Sequence, residues 1–178
     1  MIKMENMILF GATGRNTGKT ELACKLIRRF REYQIIAVKI TTINKDGQGC
    51  PTKRNCGVCG DLKENYSIDE ERDITSNKDT GRMLSAGAGK VYWLRVLKEC
   101  LLEGFEELLK IIPESSMIVC ESNSIRKIVK PGLFLVTKNE SDKSVKTSCD
   151  EVIGFADRII GPREYDALIH RIDINNNK

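Results

Sequence analysis

Residues 11 to 20 read Gly11-Ala12-Thr13-Gly14-Arg15-Asn16-Thr17-Gly18-Lys19-Thr20 and bring together the groups that a triphosphate requires. Glycine-spaced amides can cluster as N–H donors, Lys19 can reach the β- and γ-phosphates, and the Thr20 hydroxyl can ligate Mg²⁺. The phosphate-loop pattern G-x-x-x-x-G-K-[ST] wants glycine where Thr13 stands, and Gly14 follows one residue later. The expectation is that Gly14 takes the positive-φ position and leaves Thr13 on the negative side. Nucleotide contacts would then come from Gly14, Arg15, Asn16, Thr17, Gly18, Lys19, Thr20 and the adjoining Glu21. A helix cap with an incidental lysine is the competing reading. It fits the context less well, because the apolar run Met7 to Phe10 before the turn and the amphipathic segment after it supply the strand and helix that the motif needs.

Other residues could complete such a site. Arg15 would offset charge on a transferred phosphoryl group, as an arginine supplied in cis does, or else it is solvated. Glu121 follows Met117-Ile118-Val119-Cys120, and an acid ending a neighbouring strand can hold Mg²⁺ or orient the attacking group. The alternative for Glu121 is a cap on the turn Ser122-Asn123-Ser124. Lys19, Arg15 and Glu121 are thus the catalytic candidates, and Thr20 with Glu121 the Mg²⁺ candidates. Lys39 stands near the C-terminal end of the next apolar run, where open α/β sheets bind ligands. Lys138 and Glu140 lie where GTPases carry a lysine and an acid for guanine, although ordinary loop charges explain them as well.

A separate chemistry is suggested by Cys50, Cys56 and Cys59, spaced C-x5-C-x2-C with Gly57 and Gly60 permitting tight turns. Such a thiolate knuckle suits Zn²⁺ or an iron–sulfur cluster. Its fourth ligand could be Cys149, Asp61, water or a second subunit's cysteine, and three unligated loop thiols are the competing reading.

Stepping outward, the elements that must position these groups follow from periodicity. Residues 7–12 and 35–40 are apolar strands of the kind covered on both faces. Between them Leu22, Ala23, Leu26, Ile27 and Phe30 recur at helical spacing, with Arg28, Arg29, Arg31 and Glu32 on the other face. From Thr42 to about Thr75 periodicity is lost, which predicts an inserted, cysteine-containing loop. Ser76 is expected to cap a helix, with Asp79 completing an acidic capping box and Gly87-Ala88-Gly89 ending it. A strand at Lys90 to Leu94 is followed by a helix with Leu97, Leu101, Leu102, Phe105, Leu108, Leu109 and Ile112 inward, closed by Pro113. Strands at Leu133 to Val136 and Asp157 to Gly161 come next. Pro162 opens a last helix with Tyr165, Leu168 and Ile169 inward and His170 serving its C-terminal dipole. The whole predicts one P-loop NTPase domain over residues 1–178, a three-layer sandwich with a mostly parallel sheet of about six strands.

Composition narrows the classes. The 178 residues carry 29 basic and 25 acidic side chains, a net charge of +4. No basic and aromatic alternation marks a single-stranded nucleic-acid platform, so no nucleic-acid partner is expected. No apolar run suits a membrane span or a signal peptide, which predicts a cytoplasmic protein without a membrane partner. Seven cysteines in a reducing compartment read as buried thiols plus the metal candidates rather than as a disulfide framework.

With the turn, the block Lys78-Asp79-Thr80-Gly81-Arg82-Met83-Leu84-Ser85-Ala86-Gly87-Ala88 and the strand Ile118 to Glu121 in place, the chain resembles the MobB-type molybdopterin-guanine dinucleotide biosynthesis proteins. Those are GTP-binding P-loop adaptors. The family has a cation at the position of Arg15 followed by Asn16, a block much like Lys78 to Ala88, and a matching acid-ending strand. The resemblance spans roughly residues 5 to 125. The family's histidines after the second strand are replaced here by Ile40-Thr41-Thr42 and the cysteine loop, and its glycine after the acid by Ser122.

The resemblance implies Mg·GTP rather than ATP as the nucleotide and slow hydrolysis. It also implies a partner protein in molybdenum-cofactor nucleotide attachment or related cofactor maturation; separately, γ-phosphate contacts could order the cysteine loop as a switch that controls the partner. A homodimer is compatible with this branch of P-loop proteins, which often complete sites across a two-fold axis. Two other readings remain open: a metal- or redox-responsive module centred on Cys50, Cys56 and Cys59, and an ATP-dependent small-molecule ligase or kinase of the dethiobiotin synthetase type.

Overall fold

A computed structural model describes residues 1–44, 62–139 and 144–172. Seven strands form one sheet in the order β3-β4-β2-β5-β1-β6-β7. They are β1 (Ile2–Ala12), β2 (Ile36–Ile43), β3 (Tyr66–Glu70), β4 (Lys90–Leu97), β5 (Ile118–Glu121), β6 (Val129–Thr137) and β7 (Arg158–Ile160). Every neighbouring pair is parallel except β3 and β4. Strand β1 runs between β5 and β6, and Met7, Ile8, Leu9 and Phe10 are all buried, which is why that run carries no polar alternation. Its register with β6 slips between Met4 and Ile8. Opposite the slip, a Cβ on Gly132 would stand 2.2 Å from the Glu5 carbonyl, an approach only glycine allows.

Helices cover both faces. Helices α1 (Lys19–Arg29), α2 (Asp79–Ser85) and α5 (Tyr165–Arg171) pack on one, burying Leu22, Leu26, Met83 and Leu168 against Ile8, Phe10, Ala37 and Val91. Helices α3 (Leu101–Leu109) and α4 (Thr147–Asp150) lie on the other, where Phe105, Leu108 and Cys149 meet Leu9, Val38, Leu94 and Phe134. This is a three-layer α/β architecture. Among the described residues no helix is long and apolar enough to cross a membrane.

Several expectations change. Among the described residues there are seven strands rather than six, because β3 lies within the span expected to be loop. Its two apolar residues, Tyr66 and Ile68, are the only ones in a five-residue strand that ends on exposed Asp69 and Glu70, too short a pattern to show as periodicity. Ser76 does not cap α2: Lys78 holds the N-cap position without a side-chain bond, and the Ser76 hydroxyl accepts only the Lys78 N–H at 3.3 Å. Leu97 ends β4 rather than belonging to the following helix, and Leu102 is 47% exposed on α3. Pro162 opens a 3₁₀ turn, Pro162–Glu164, from which α5 continues.

Candidate functional site

Residues 13 to 18 turn from β1 into α1 at the C-terminal edge of the sheet, beside the end of β5. The left-handed conformation falls on Asn16 (φ 57°) and Gly18 (φ 79°), not on Gly14 as the sequence suggested. Asparagine tolerates that region better than most side chains, so the turn needs glycine only at Gly18. There a Cβ would lie 2.7 Å from the Tyr165 hydroxyl oxygen.

The turn is held by its carbonyls. The Lys146 N–H donates to Thr13 O at 2.8 Å, the Asn139 side-chain amide to Asn16 O at 3.1 Å, and the Tyr165 hydroxyl to Thr17 O at 2.6 Å. From β6, Thr137 O accepts the Thr13 N–H at 3.0 Å, and the Thr137 and Thr17 hydroxyls share a 2.7 Å bond. The Asn123 side chain pairs with both backbone groups of Ala12, at 2.8 and 3.0 Å, and so fixes the point from which the turn departs. Among the described residues no acceptor meets the amides of Gly14 to Thr20. Anchored carbonyls and unengaged N–H groups at a helix N-terminus are an arrangement suited to an anion.

Next to the turn, Glu121 is 4% exposed. Its Oε2 accepts the Thr20 hydroxyl at 2.8 Å, and its Oε1 lies 3.3 Å from the Lys19 ammonium. Asp79, the first residue of α2, is ion-paired to Lys39 nearby. Burial alone would raise the Asp79 carboxyl, but the Lys39 hydrogen bond and the Lys39 and Lys19 charges outweigh it and hold it below the ordinary range. A hydroxyl and two carboxylates are a hard-oxygen donor set of the kind Mg²⁺ takes, with waters or phosphate oxygens filling the remaining positions. The described residues offer no group of three His, Cys, Asp or Glu side chains that could hold a metal ion by itself.

The remaining candidates fall apart in space. Arg15 is exposed on the turn, and Lys138 is exposed just past β6. Glu21 faces away from the turn to Arg82 of α2, at 2.9 Å. His170 lies 3.4 Å from Arg29 Nη1, across the contact between α5 and α1. Cys50, Cys56, Cys59, Asp61 and Glu140 lie outside the described residues. Cys149 is fully buried in the core under α3 and α4, where desolvation raises its thiol, so it does not suit the role of a surface fourth ligand. Cys24 and Cys120 are likewise buried thiols raised by desolvation.

Sequence reasoning took Asp79 for a cap and missed it as a site carboxylate; its one visible signal was the Lys78-Asp79-Thr80 block. It also missed Tyr165, Thr137 and Asn123, whose roles depend on contacts across more than a hundred residues. Comparison with protein-family models, curated proteins and solved structures gave no match.

Proposed function

We propose that this chain is a P-loop nucleotide-binding protein that takes a Mg·nucleoside triphosphate, GTP in preference to ATP, and hydrolyses it slowly. The observation that carries the reading is the junction of Lys19, Thr20 and Glu121 beside a turn whose amides meet no acceptor among the described residues. In this reading the amides of residues 14 to 20 and the Lys19 ammonium hold the phosphates. Thr20, Glu121 and Asp79 would hold Mg²⁺, which would supply charge neutralisation for the phosphates. Arg15, exposed on the turn, would offset charge on the γ-phosphate. Glu121 is held by Thr20 and Lys19, so it orients groups around the phosphate rather than acting as a free base.

The resemblance of Lys78 to Ala88, Arg15-Asn16 and Ile118 to Glu121 to the MobB-type proteins supports the biological assignment. The chain would assist molybdenum-cofactor nucleotide attachment or a related maturation step, acting on a partner protein through its nucleotide state.

The test is a titration of fluorescent GTP and ATP against wild type and Lys19→Ala. Removing a charge-assisted phosphate contact should weaken binding about 10- to 100-fold. A variant that binds both nucleotides as tightly as wild type does would end the proposal.

A further inference from the structure

Between β5 and β6 the chain makes a 3₁₀ turn, Ser124–Lys127, whose Ile125 is buried on the face of α3 and α4. It leads into Val129, which opens β6 opposite Ile2. That is the N-terminal edge of the sheet, whereas the bend between β1 and α1 lies at the C-terminal one.

Arg126, within this turn, is only 8% exposed, yet none of its contacts among the described residues is with a carboxylate. Nη1 donates to Val129 O at 3.2 Å and lies 3.5 Å from Met1 Sδ, while the guanidinium carbon stands 4.5 Å from the Phe155 ring centroid. Neither Nη1 contact uses Nη2, and Nε is buried with no acceptor among the described residues. The next residue, Lys127, is by contrast ion-paired to Glu151. The Nε–H and Nη2–H groups of a guanidinium are parallel, and that edge matches the two oxygens of a carboxylate. A ring face and a carbonyl meet part of what a desolvated cation needs; a counter-charge is the remainder.

The side chains around Arg126 are themselves open to water. Phe155, which ends the 3₁₀ turn Ile153–Phe155, is 57% exposed, and Met1 is 74% exposed. They are surface groups rather than the walls of an enclosure, which suits a broad protein contact better than a small molecule. Aromatic side chains, methionine and arginine are also the types that protein interfaces favour.

We propose that Arg126, Phe155 and Met1 form a docking surface for a partner-protein segment that carries a glutamate or aspartate beside an apolar side chain. The carboxylate takes the Nε–Nη2 edge, and its apolar neighbour lies along the Phe155 ring. Rotation of the two surface side chains uncovers that edge, a rearrangement common at interfaces. Complementarity selects this occupant, because a purely apolar segment leaves the guanidinium edge unmet and a free anion leaves the ring in water. The surface is separate from the phosphate-binding reading and does not depend on it.

The experiment follows the arginine Nε–H signals of the full, nucleotide-free chain by ¹⁵N-edited NMR, with Arg126 assigned by the signal missing in Arg126→Lys. The probes are acetyl-Leu-Glu-Leu amide, its glutamine counterpart and sodium acetate. The glutamate peptide should shift the Arg126 signal saturably and bind about tenfold tighter than the glutamine peptide, the effect of a charge-assisted hydrogen bond. Phe155→Ala should weaken it about three- to fivefold with circular dichroism unchanged, since the ring is on the surface. No saturable shift of the Arg126 signal, or equal affinity for the two peptides, overturns the proposal. Acetate binding as tightly as the glutamate peptide, or undiminished peptide binding in Phe155→Ala, removes the apolar half and overturns it as a protein-docking surface. Peptide binding by a chain that takes up no Mg·nucleotide ends the nucleotide reading and leaves this surface standing.

Discussion

The Thr20 hydroxyl donates to Glu121 Oε2 over 2.8 Å, which joins the second residue of α1 to the last residue of β5. Both groups are buried. The bond therefore sets the spacing between the turn and the strand end, the gap in which a phosphate-bound cation would sit.

Glu121→Gln and Asp79→Asn should each raise the Mg²⁺ concentration needed for nucleotide binding by about 10- to 100-fold, and Thr20→Val, which removes the hydroxyl that Glu121 accepts, should do the same. Mg²⁺ titrations at fixed fluorescent nucleotide measure it. An unchanged requirement in both carboxylate variants would take these acids out of the metal site.

Gly18→Ala places a methyl group against the Tyr165 hydroxyl at a positive φ. A destabilisation of about 2–4 kcal/mol is expected, or on the order of 5–10 °C in Tm. Tyr165→Phe relieves part of the clash, so the double variant should lose less than the sum of the singles in denaturant melts. Strict additivity would mean that the two residues do not meet.

Burial raises the Tyr165 phenol from its ordinary 10.0 to about 12. The folded chain keeps this proton at pH values where the unfolded chain has lost it. The contribution is therefore fully present below pH 10 and is lost as pH rises through about 12. It amounts to about 2–3 kcal/mol. Chemical denaturation between pH 9 and 12 should fall more steeply for wild type than for Tyr165→Phe, and parallel curves would contradict the assignment.

On α3, Leu102→Glu should change stability by no more than about 0.5 kcal/mol, because the side chain faces water. Phe105→Ala, which empties a buried site under Leu94 and Val96, should cost about 3–5 kcal/mol. Urea melts of the two separate the structural assignment of the helix face from the sequence one.

The parts of the fold that could be read from sequence were those whose signal is local. The runs at Met7 to Phe10, Ile36 to Ile40, Ile118 to Cys120 and Leu133 to Val136 are buried on both faces and announce central strands. Strand β3 escaped because an edge strand with one solvated face needs only Tyr66 and Ile68 to be apolar. Asp79 was misassigned for a chemical reason: an aspartate that caps a helix and one that faces a lysine from another element are identical in sequence. Asn16 took the left-handed position because its side chain lowers the cost there, so counting glycines pointed to the wrong residue. Lys19, Thr20 and Glu121, picked out by the motif and the strand end, do stand together in the fold. The residues that brace them are brought in by the tertiary fold.

One of those braces sets a schedule. Tyr165 reaches Thr17 from 148 positions downstream. A growing polypeptide can therefore form its first helix long before the phenol that steadies the preceding bend has been synthesised. Any chain cut short of α5 would expose that bend without its clasp, so the bend is steadied only once the residues of α5 have been made and folded back.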